Sequence, residues 1–221
     1  MSASVNHLES RLFDDSELLE DIMPSAITLA MMLRHRKFAS WLRTEFDGYQ
    51  DRESAPPYRR QQPGHIVAKS PQYGWIPAPI EEEQKAQFGR LDLVEGTKEL
   101  EQICQACKKG SGHRVSLEAD DLERLKKGLN LNADLAISVS RQTYSDLLRT
   151  VRAAICLWAR AIMAEGIEGE HNHYDKEERA RVAHLDTPEV FWQQAMEQLE
   201  DLGMPDIKEV GFFGRVFGRA S

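Results

Sequence analysis

The chain has 221 residues, of which 41% are apolar and 29% charged, and its net charge is -8. That is one domain, or one domain with an appended piece, and it is long enough to bury a core. The acidic balance argues against a general nucleic-acid binder, and three cysteines argue against a disulfide framework. No apolar run reaches the ~18–20 residues that span a bilayer, and no basic region followed by an apolar run opens the chain. The expected compartment is the cytoplasm.

In chain order, Val5 to Phe13 reads as a short helix with Ser4 as its cap. Leu19, Ile22, Ala26, Leu29 and Leu33 recur at helical spacing, and Pro24 either opens that helix or kinks it. After the basic run Arg34-His35-Arg36-Lys37, the stripe Phe38, Trp41, Leu42 and Phe46 predicts a third helix ended by Gly48. Six prolines between 49 and 80 exclude continuous helix there. His65 to Ala68 reads as a strand and Gly74 to Ile76 as its hairpin partner. The length and the aromatics Tyr58, Tyr73 and Trp75 mark an ordered excursion.

Residues 80–109 read as irregular helix interrupted by Gly89 and Gly96. A strand near Val115 and Leu117, a helix over Asp120 to Gly128 and a strand over Ala136 to Ser140 follow. Tyr144 to Met163 is the strongest helix, with Arg149, Arg152 and Arg160 off its apolar stripe. Residues 169–186 read as a polar linker. Thr187-Pro188-Glu189 opens a last helix with Trp192, Met196 and Leu199 as its apolar face. The fold class is mainly α with a small β-element (α+β): a helical bundle with a short hairpin excursion.

Several patterns invite chemistry. Cys104 and Cys107 form C-x-x-C near His113, yet no second pair completes a zinc site, and two apolar thiols on one helix face is the plainer reading. His171, His173 and His184 match no metal signature and read as a polar loop, so neither metal nor cofactor is expected. Gly110 to Arg114 lacks the pattern of a nucleotide loop. Arg34 to Lys37 together with Arg59-Arg60 are candidates for touching phosphate, with solvated surface as the simpler account in so acidic a chain. In the tail, Phe212, Phe213, Arg215 and Phe217 interleave aromatic and basic groups. Such a segment docks on its own core, fills a partner's groove, or lies on a membrane surface.

The most distinctive stretch runs from Phe38 through Trp41, Leu42, Glu45, Phe46, Asp47, Gly48 and Tyr49 to Pro57-Tyr58-Arg59, Gly64-His65 and Trp75-Ile76-Pro77. With Arg149 to Glu165 as a closing helix, residues 5 to 168 resemble the AbiTii domain, with Phe46 where leucine is usual. The resemblance implies abortive infection and phage defence, and an interaction or regulatory module acting by protein contact. The partner implied is a protein or a phage component; self-association is open, nucleic acid is not expected, and membrane contact is open through the tail alone.

Trp41, Glu45, Gly48, Tyr49, Tyr58, Arg59, His65 and Trp75 are the candidate surface, with docking near Tyr58 and Arg59 or through the tail. Structural glue is the plainer reading of the same residues: Tyr49 and Tyr58 pack the excursion back onto the helix, and Glu45 pairs with Arg59 across the turn. The alternatives are an enzyme acting on nucleotide or RNA through Glu45, Arg59, His65 and His113, and a toxin using the tail at a membrane. The enzyme requires its four groups to meet in one cleft.

Overall fold

The computed structural model describes residues 5–107, 112–130, 132–167 and 173–207. Ser4 and the tail from 208 onward, including Phe212, Phe213, Arg215 and Phe217, lie outside the described residues, as does His171.

Helical spacing of apolar side chains produces the first three helices. α1 (Val5–Phe13) buries Val5, Leu8 and Leu12, α2 (Leu19–Met32) buries Ile22, Ala26 and Leu29, and α3 (Arg36–Asp47) buries Phe38 and Leu42. α2 starts at Leu19, so Pro24 lies inside it rather than in its first turn. Gly48 ends α3 at a φ of +96°, a conformation that favours glycine.

The proline-rich excursion is ordered. A single 3₁₀ turn at Pro57–Arg59 leads into β1 (Gln62–Ser70), and β2 (Gly74–Pro77) completes the expected hairpin with Trp75 opposite Lys69. The stretch expected as irregular helix divides at its two glycines into α4 (Glu82–Phe88), the two-residue strand β3 (Arg90–Leu91) and α5 (Thr97–Ala106). β4 (Gly112–Ser116), α6 (Ala119–Leu129) and β5 (Leu135–Ser140) follow where the alternation and the helical spacing put them. All pairings are antiparallel, in the order β2-β1-β5-β4, with β3 also on β1. This α+β architecture has nine helices and five strands among the described residues.

β5 runs directly into α7 (Arg141–Ala164), whose first turn is capped by the Ser140 hydroxyl accepting from the Thr143 amide. α7 is the spine: α1, α5 and α9 pack along it, and Trp158, Tyr144, Val151 and Ile155 are fully enclosed. Each such side chain contributes roughly 1.5–3 kcal/mol by burial. Arg149 and Arg152, expected off the apolar stripe, are buried as well. α7 is covered on nearly every side: Arg152 donates to the Glu17 carbonyl, and Arg149 donates to the Met204 carbonyl while pairing with the Asp146 and Glu200 carboxylates at 3.1 and 3.3 Å.

The segment expected as a polar linker is structured where described. α8 (Lys176–Val182) opens with a capping box between Asp175 and Glu178, and Tyr174 and Val182 are buried. A few well-spaced apolar side chains dock it, which its polar average conceals. α9 (Pro188–Glu197) lies against α7 and buries Phe191, Trp192 and Ala195; Met196, expected on that face, points outward. The Thr187 side chain makes no cap bond.

Candidate functional site

α3 and the 3₁₀ turn bring Glu45 and Arg59 together in the interior, both side chains wholly enclosed. Arg59 donates from Nη2 to Glu45 Oε2 at 2.6 Å and from Nε at 3.0 Å. The hydroxyls of Tyr49 and Tyr58 each donate to Glu45 Oε1 at 2.5 Å. The Trp41 indole N–H donates in turn to the Tyr58 oxygen at 3.0 Å. Arg59 Nη1 reaches the carbonyls of Leu93 and Glu95, both at 2.9 Å, and the Thr97 hydroxyl donates to the Glu45 carbonyl. Burial, then the Glu45 charge, pushes the Tyr58 and Tyr49 hydroxyls well above the ordinary phenol range. Burial opposes the Arg59 charge, and Glu45 more than offsets it, so that guanidinium stays protonated.

This closed arrangement ties α3, the excursion and the 93–97 segment into one piece. The expected pairing of Glu45 with Arg59 and the packing of both tyrosines onto α3 are present. The docking face expected around Tyr58 and Arg59 is not, because both side chains point into the core: they are 5% and 0% exposed. Gly48 serves the same junction. A Cβ there would stand 2.9 Å from the Gly96 amide nitrogen, and one on Gly96 would stand 2.5 Å from the Phe46 carbonyl oxygen.

The four groups of the enzyme alternative do not meet. His65 lies on the solvent face of β1, in register with Ser138 and Arg114. His113 pairs with Val139, one residue out of that row, and so faces the other side of the sheet, where it meets the Tyr144 ring edge-on. Glu45 and Arg59 are sealed within. Cys104 and Cys107 are buried free thiols, both pushed up by burial, Cys104 to about 11. Among the described residues no three His, Cys, Asp or Glu side chains gather as metal ligands, and no helix is long and apolar enough to cross a membrane.

Among the described residues, two open surfaces lie beside this stretch. One is the outer face of the sheet, where Trp75 lies partly covered beneath the Arg114 guanidinium, 5.5 Å from ring centroid to carbon, near the exposed His65 and Lys69. The other is a groove of about 650 Å³ between α3, the 54–60 segment and the start of α9. Arg36, Lys37 and Arg60 stand on its rim, and Trp41, Tyr49 and Trp192 line it. Of the two basic runs read as candidates for phosphate, only Arg36, Lys37 and Arg60 come together here: Arg59 is sealed against Glu45, and Arg34 and His35 border a separate pocket.

A family model for AbiTii matches residues 5–187, most of the chain. No curated protein and no solved structure matches.

Proposed function

Because the chain belongs to the AbiTii family, which is associated with abortive infection and phage defence, we propose that it is an interaction module of an antiphage system acting by protein contact. The observation that carries this reading is where the polar groups go. Glu45 and Arg59 satisfy each other and two phenols in the interior, so neither is free to move a proton for a substrate. What that stretch and β4 together offer solvent is a face carrying Trp75, His65, Arg114 and Lys69, the last paired with Asp134 at 3.8 Å. That face is aromatic and cationic in a chain of net charge -8, which suits a partner with an acidic surface. The tail from Phe212 to Phe217 is a second contact in the same reading.

The test is affinity capture of the tagged chain from cells before and after phage infection, beside Trp75→Ala/Arg114→Ala and a truncation after Asp206. The reading predicts a stoichiometric protein, rebound from purified components, that is lost from at least one of the two altered chains. A purified chain that turns over nucleotide or RNA with no protein bound would overturn it.

A further inference from the structure

α3 has two working faces. Phe38, Leu42 and Glu45 point inward, whereas Arg36, Lys37, Ser40, Trp41 and Thr44 recur at three- and four-residue spacing along the wall of the 650 Å³ groove. Across it lies Arg60, whose guanidinium is held by the Ala55 carbonyl at 2.5 Å and the Glu53 carbonyl at 2.7 Å. Those acceptors are neutral, so the Arg60 charge is fixed in place and uncompensated. Among the described residues, no hydrogen bond or ion pair engages the side chain of Arg36 or Lys37. Three cations thus face one opening whose single lining acid is Glu189, on a chain that is otherwise acidic. The amides at the start of α3 play no part, since Asp186 already accepts from Lys37 and Phe38 at 3.2 and 2.9 Å.

Charge is half of the groove's chemistry. Trp41 supplies a flat apolar wall between the cations and is held by its bond to Tyr58, while the buried Trp192 closes the floor through ring contact with Tyr58 at 5.4 Å. A volume near 650 Å³ falls within the ~300–1,000 Å³ of small-molecule sites. We propose that this groove binds a mononucleotide, with its phosphate on Arg36, Lys37 and Arg60 and its base against the indole of Trp41. Guanidinium forks and an ammonium suit phosphate oxygens, and an indole face suits any base. The ligand would then rest on Trp41 and Tyr49, the outer members of the buried Glu45 network. This goes beyond the contact reading and stands or falls without a protein partner.

Calorimetric titration of the purified full chain with adenosine 5′-monophosphate tests it, with adenosine, inorganic phosphate and a short single-stranded RNA as separate arms. Saturable one-to-one binding of the monophosphate is expected, weaker with either half alone and weaker as salt rises. Arg36→Gln/Lys37→Gln, both exposed positions, is expected to lower affinity about ten-fold or more with an unchanged melting temperature. No saturable heat from the monophosphate would overturn the proposal. So would equal binding of inorganic phosphate, tighter binding of the RNA, or full affinity in the double variant.

Discussion

Glu45 takes two phenols and a guanidinium at complete burial, so its loss strands a charge rather than merely deleting a contact. Glu45→Gln keeps the volume and leaves Arg59 without a counter-charge, which costs about 3–5 kcal/mol. Chemical denaturation of the full chain is the check, and a change within about 0.5 kcal/mol, the range of an ordinary surface substitution, would contradict the network's structural weight. Glu101 is a second buried carboxylate. It accepts from the amides of Leu19 and Glu20 at 2.7 and 3.0 Å, and so caps α2, whose own Leu18 makes no side-chain cap bond. Burial raises its pKa from 4.5 to about 7, with those two amides pulling the other way. The folded state therefore holds this proton more tightly than the unfolded one. The resulting stability is present below about pH 4.5 and is lost as pH rises to about 7. His35 works oppositely, since burial first of all lowers its pKa and stability is lost as pH falls below its ordinary 6.5. Its Nδ1 accepts from the Trp158 indole at 3.1 Å, which a neutral ring allows. The stability of the native chain minus that of Glu101→Gln, taken with its sign, is expected to fall as pH rises from 4.5 to 7; a signed value that rises would reverse the assignment.

At the scale of elements, the sequence was legible wherever periodicity alone decided the outcome. α1, α3, α7 and the β1–β2 hairpin follow from spacing, from Gly48 and from alternation. Other features depend on partners far along the chain, and no local pattern reveals them. α2 is capped by Glu101, 82 residues away from Leu19, and α3 by Asp186, 148 residues away from Phe38. α8 was hidden for another reason: its polar average conceals Tyr174 and Val182, through which it docks. The crossing of α3 with the 93–97 segment needs both Gly48 and Gly96, since a Cβ on either meets backbone. Gly48→Ala places an alanine at positive φ against the Gly96 amide, and a loss of about 1–3 kcal/mol is expected in thermal or urea melts. A melt equal to that of the native chain would mean the junction yields more easily than its geometry implies.

In the whole molecule, the polar residues that made one stretch distinctive divide between interior and surface. Types and order exposed the Glu45–Arg59 pair and both tyrosines, because short range and complementary chemistry sufficed. Which of them face water was not legible, because burial is set by how α7, α9 and the sheet close around α3. The groove was hidden for the same reason: Trp192 reaches it from a helix about 150 residues beyond α3. Stability rests on the buried network, and under the proposed function defence rests on the exposed faces. Phage plating on cells that express the chain with Trp75→Ala/Arg114→Ala, at matched protein level, tests that division most directly. Lost protection with an unchanged melting temperature is the predicted result; full protection by that double variant would contradict the account.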